Sequence, residues 1–136
     1  WASKDPNGAN LDRIQIIKSW VGADGEPQDH VYAVVWSGDR KPDAKGKVPA
    51  VGNTVDLKTA TFTNSIGAPE LKGTWTDAAF DASQGAVYYV RVIQIPTPRW
   101  STYDAIRSKL PLQGGVASAV QERAWSSPIW YTPSSN

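Results

Sequence analysis

The chain has 136 residues, 40% hydrophobic and 20% charged, with a formal net charge of +1. That is enough apolar matter for one domain core, and too little charge imbalance to hold a nucleic acid or a membrane surface by bulk electrostatics. Cysteine is absent, which excludes disulfides, zinc–thiolate sites and a cysteine nucleophile. No apolar run reaches the roughly 20 residues that span a bilayer, so no membrane insertion is expected.

In chain order, turn signals alternate with strand signals. Residues 13–21 place Ile14, Ile16 and Trp20 on one face and Gln15, Ile17 and Ser19 on the other, a strand pattern. Residues 22–30 carry Asp24-Gly25 and Pro27 and are expected to be a long loop. Residues 31–38 complete a hairpin, and the polar 39–52 reads as a surface loop. Residues 53–64 alternate as a further strand, and 71–77 as a short one. Residues 78–86 form a connection. Residues 87–95 are the clearest strand, and Pro96 and Pro98 end it by removing donors. Residues 102–110 predict a helix of about two turns, with Ser101 or Thr102 as N-cap and Asp104 in the first turn. After a loop, 122–132 form the closing strand, with Pro128 marking an edge or a bulge. Residues 133–136 read as a tail after one domain, 1–132.

Short strands punctuated by turns predict an all-β antiparallel sandwich. Tyr88-Tyr89-Val90-Arg91-Val92 resembles the penultimate strand of fibronectin type III domains, and Trp125-Ser126-Ser127-Pro128-Ile129 resembles their last strand. The expectation is therefore an immunoglobulin-like or fibronectin-like sandwich with one short helix in a long loop, 96–121. A loop of that length is usually functional or interdomain.

Few residues are arranged for chemistry. His30 is the single histidine and is expected in a solvated loop. No G-x-S-x-G elbow and no phosphate-binding glycine loop occurs. Asp77 and Asp81 read as turn residues. Asp5, Asn7, Asn10 and Asp12 gather oxygen atoms that suit calcium, but without EF-hand spacing, so a turn is the favoured reading. No catalytic residue and no cofactor are expected in this chain. Seven tryptophans stand out. Trp20, Trp36 and Trp75 fall in strand patterns and are expected in the core. Trp100 does not, and Trp130 and Tyr131 must point to opposite faces of the last strand.

Five segments, starting at Lys4, Val31, Val51, Trp75 and Gln121, closely resemble in order the C-terminal portion of a large bacterial family of unknown function. The resemblance implies a longer, exported protein. Its N-terminal part carries a G-D-x-H-x-H-T signature similar to polymerase-and-histidinol-phosphatase-type (PHP) metal-dependent phosphoesterases. None of those histidines has a counterpart here. The absence of methionine, even at position 1, fits a start inside that longer protein. The implied role is a noncatalytic C-terminal module that packs on the N-terminal domain of the same polypeptide. Arg99 is the first choice for a residue reaching a substrate cleft, since its guanidinium pairs bidentately with phosphate or carboxylate. Trp100 and Tyr103 would wall that cleft, and Trp130 is a further contact candidate. The alternative is that Arg99 pairs with Asp104 while Trp100 caps the sandwich. Two other readings stay open: a carbohydrate-binding module using exposed aromatics, and a hydrolase using carboxylates. A first strand lying upstream would leave an open sheet edge, so a homo-oligomer through that edge is also expected.

Overall fold

The computed structural model describes residues 1–134. Of the expected tail, residues 135 and 136 lie outside the described residues. The fold is all-β and antiparallel, with one short helix, as composition and periodicity predict. Its elements are β1 (Ala2–Ser3), β2 (Leu11–Val21), β3 (Pro27–Trp36), β4 (Glu70–Leu71), β5 (Ala86–Gln94), β6 (Thr97–Pro98), α1 (Trp100–Arg107), β7 (Ala119–Val120), β8 (Arg123–Trp125) and β9 (Ile129–Tyr131). The main sheet runs β3-β2-β5, and both β8 and β9 pair with the far side of β5.

Register assigns the two faces. Ile14 pairs with Val35 and Val92, Ile16 with Tyr32 and Val90, and Lys18 with His30 and Tyr88. These residues share one face; the β1–β4 ribbon covers its Ile14 end, and the segment around Asp77 and Ala79 covers Lys18. Leu11, Ile14 and Leu71 form the buried centre of this face, with Ala2, Val35, Val90 and Val92 around them. On the other face Arg91 donates two hydrogen bonds to Gln15 Oε1. The buried Val48 of the 39–52 loop sits there beside Val31 and Ala33.

Several elements differ from the sequence expectation. The hairpin loop is short: Gly22 N–H bonds the Glu26 carbonyl, Gly25 takes a left-handed φ of 81°, and β3 begins at Pro27. His30 is therefore in a strand, not a loop, with its ring on Tyr32. Residues 53–64 alternate in sequence but form no strand, only an isolated bridge between Asp56 and Thr61. The reason is local. Asn53 and Asp56 carboxamide and carboxylate oxygens accept the N–H groups of Val55 and Lys58, which offers the backbone turns instead of a ladder. The strand expected at 71–77 shrinks to Glu70–Leu71. Trp20, Trp36 and Trp75 are half-buried rather than sealed in the core.

The helix begins two residues early, at Trp100, and ends at Arg107. Arg99 is its N-cap, without a side-chain cap bond, and no acidic residue lies in the first turn. Thr102 does not cap; its hydroxyl donates to the Ser118 carbonyl at 2.7 Å. Lys109, at a φ of 55°, closes the C-terminus, with Lys109 N–H on the Ile106 carbonyl and Leu110 N–H on that of Ala105. The loop 96–121 is tied at its base by β6 pairing with β7.

The closing strand is divided. Trp125 pairs with Arg91, whereas Ile129 pairs with Tyr88, so one extra residue lies between β8 and β9. This is a bulge at Ser127-Pro128, where Pro128 lacks the donor a ladder needs. At the opposite end of the sheet Gly67, with φ 77°, lies so close to its neighbours that an added Cβ would stand 2.6 Å from Ile95 and 2.7 Å from Asn10. Only glycine allows Ala68 to bridge Leu11 at that point.

Candidate functional site

The site grows from the inward phase of β2 and β5. Residues 14, 16, 18 and 20 point to the covered face, and position 18 is a lysine. Lys18 is only 4% exposed. Burying an ammonium is costly unless it is paired. Here its Nζ donates to Asp77 Oδ2 at 2.6 Å and to the Ala79 carbonyl at 2.9 Å. Tyr88, in register beside it, donates its hydroxyl to the same Oδ2 at 2.8 Å. Asp77 Oδ1 accepts the Ala79 N–H at 2.9 Å. Lys18 Nζ also lies 5.4 Å from the Trp20 ring and 5.8 Å from that of Tyr88.

Charge states follow from these contacts. Burial pushes the Asp77 carboxyl upward, but the bonds from Lys18, Tyr88 and Ala79 outweigh it and hold the group below its ordinary value. Burial likewise favours neutral Lys18, yet the bond to Asp77 and its charge leave the lysine above its ordinary value. Burial and the bond to Asp77 both raise the Tyr88 phenol. At neutral pH the trio is thus ammonium, carboxylate and phenol. The lysine and the carboxylate neutralise each other's charge within the sheet.

Above this trio lies an apolar cleft of about 510 Å³, between Ile16, Tyr88, Val90 and Ile129 on the sheet side and Trp75 and Phe80 on the other. A trough of about 340 Å³ adjoins it, sharing Ile16, Trp75, Val90 and Ser126 and running on to Val92, Ala124 and Trp1. The wall is aromatic: Tyr32, Trp75 and Tyr88 follow one another at centroid distances of 4.7 and 6.3 Å. Phe80 meets Tyr131 edge-on at 4.8 Å. At the rim Ile129 is 70% exposed. The lining of the cleft is predominantly apolar and aromatic.

The residues singled out from sequence lie elsewhere. Arg99, Trp100 and Tyr103 share the first turn of α1. Trp100 is 68% exposed, and Tyr103 lies under Arg107 at 5.9 Å. Arg99 forms no ion pair with Asp104 or with any other carboxylate among the described residues, and its buried Nε has no hydrogen-bond partner. Trp130 is 73% exposed and pairs with Val87, near the opposite end of β5 from Gln94. At about 3.3 Å per residue, roughly 20 Å of strand separates Trp130 from the α1 end. The four do not form one site.

The calcium candidates are dispersed into structural roles. Asp5 Oδ1 accepts the Asn7 N–H, and the Asn10 amide donates to the carbonyls of Asn64 and Ile66. Fully buried Asp12 is held by Arg13, by Arg40 Nη2 at 2.7 Å and by Gln121 Nε2 at 2.9 Å. Among the described residues no three of His, Cys, Asp or Glu converge as metal ligands. Asp81 is a turn residue, accepting from Ser83 N–H and Oγ.

Comparison with known proteins places the chain. The family described as "Protein of unknown function (DUF3604)" matches residues 1–133. The chain belongs to that family. No curated protein and no solved structure matches it. Membership bears out the resemblance to a family of unknown function. The cleft and its trio, by contrast, are absent from that reading. One signal existed: Lys18 stands in the inward phase between Ile16 and Trp20, where only a paired cation is tolerated.

Proposed function

We propose that this chain is a noncatalytic, immunoglobulin-like or fibronectin-like module that packs on the N-terminal, PHP-like domain of an exported metal-dependent hydrolase. One observation carries the reading. The chain exposes 9160 Å², whereas a compact monomer of its 14.8 kDa exposes about 7,000 Å². The excess of roughly 2,000 Å² is of the size that one partner buries in a permanent interface. Large apolar side chains stand within that surface, among them Trp1, Trp100, Trp125 and Trp130. In this reading any metal is held by the N-terminal domain, and Arg99, whose buried Nε has no hydrogen-bond partner, contributes a cation from this one.

The test compares this chain with the longer polypeptide by oxidative footprinting read by mass spectrometry. Labelling of at least one tryptophan cluster, Trp100 or Trp125 with Trp130, falls severalfold in the longer polypeptide. Equal labelling of all of them in both would overturn the reading.

The exposed Trp125 and Trp130 favour a second reading, an independent carbohydrate-binding module, since exposed tryptophan stacks on sugar rings. A glycan array with no hit removes it. A homo-oligomer through the β8–β9 edge is less favoured, because the bulge and Pro128 leave two stretches of only three residues for pairing.

A further inference from the structure

The geometry points to the cleft over the Lys18–Asp77–Tyr88 trio as a socket for an uncharged, apolar or aromatic side chain of the neighbouring domain. This inference rests on the module reading above and names the surface and the chemistry of the contact. Three observations select it. The first is the floor. Asp77 Oδ2 already accepts from Lys18 and Tyr88, and Oδ1 from Ala79, so the floor has no charge left to offer a charged guest. A guest bringing its own charge would lose hydration and gain no partner.

The second is the rim. Ile129 and Phe80 stand on either side of the opening, 70% and 49% exposed, and the adjoining trough continues the apolar surface to Trp1. A monomer rarely leaves so continuous an apolar surface open to water. The exposed area in excess of a compact monomer, roughly 2,000 Å², matches a folded neighbour better than a short peptide. The third is the edge. With β8 and β9 interrupted by the bulge at Ser127-Pro128, a neighbour gains little by adding a strand at the edge beside the cleft. It gains by inserting side chains between the layers, where the cleft of about 510 Å³ has room for an aromatic ring.

The chain has no native cysteine, so a single introduced thiol reports accessibility. Ile129→Cys places it at the rim, Phe80→Cys places a second across the opening, and Lys45→Cys serves as a control on the far face. Maleimide labelling, resolved by peptide mass, is compared between this chain and the longer polypeptide. Labelling at 129 and 80 slows at least tenfold in the longer polypeptide while labelling at 45 is unchanged. Unchanged labelling at both rim positions overturns the socket. If Trp100, or Trp125 with Trp130, is then protected in the footprint, the module reading survives and only the socket falls; if no tryptophan is protected, both fall. The chemistry is tested on this chain alone by methyl NMR. Indole shifts the Val90 and Ile129 methyl resonances saturably, and indole-3-acetate at the same concentration does not. Equal shifts from both probes, or none from either, overturn the uncharged guest.

Discussion

Asp77 ties its segment to the sheet through an ionised carboxylate, so its proton equilibrium is part of the stability of the fold. Folding holds its pKa below the ordinary 3.8. The unfolded chain therefore binds the proton first, and stability is lost as pH falls below about 5 toward the depressed value. Lys18 behaves in the opposite direction: held above 10.5, its contribution is complete below that value and fades at more alkaline pH. The pair stabilises fully across neutrality. Asp77→Asn leaves the Lys18 ammonium buried without its counter-charge and costs about 3–5 kcal/mol at pH 7 in urea unfolding followed by tryptophan fluorescence. The variant also loses part of the acid slope between pH 5 and 3; an unchanged slope would show that Asp77 does not titrate with folding. The lysine stands out in the sequence only by its place in the inward phase between Ile16 and Trp20. Its partner, 59 residues away, was not visible at all. Alternation gives the face a residue points to, and nothing in it says what that residue meets.

Elements were legible in proportion to how far the local pattern agreed with long-range pairing. β5 lies almost where alternation puts it, because it is paired on both sides. Residues 53–64 alternate as well, yet Asn and Asp turns win there because no neighbouring strand competes for the backbone. The loop 39–52 is legible as a loop, but its anchoring is not. Arg40 donates from Nε to the Ser37 carbonyl, from Nη1 to that of Pro49 and from Nη2 to that of Asp12, while its own carbonyl accepts from Trp36 Nε1. A planar fork is required to reach all three carbonyls at once. Arg40→Lys keeps the charge and loses the fork. The expected cost is about 1–3 kcal/mol, with faster amide exchange over residues 43–48. Exchange rates equal to the parent chain would show that Arg40 does not anchor the loop.

At the scale of the molecule, the exposed surface is the dominant fact. Trp130 is 73% exposed and points away from the cleft, on the face of Val87. Trp130→Lys therefore changes the urea midpoint by no more than about 0.5 kcal/mol equivalent. A larger loss would mean that the ring packs within the chain rather than awaiting a neighbour. From the order of residues alone came the β class, the long strands, the tie between the two prolines and the end of β5, and the family, because each depends on residue types and on neighbours along the chain. Only the tertiary structure decided that His30 sits in a strand, that the closing strand splits, that Arg99 and Trp130 stand at opposite ends, and that Lys18, Asp77 and Tyr88 meet beneath an open cleft. These depend on register and on contacts across dozens of residues, where a shift of one position along a strand turns every side chain to the other face.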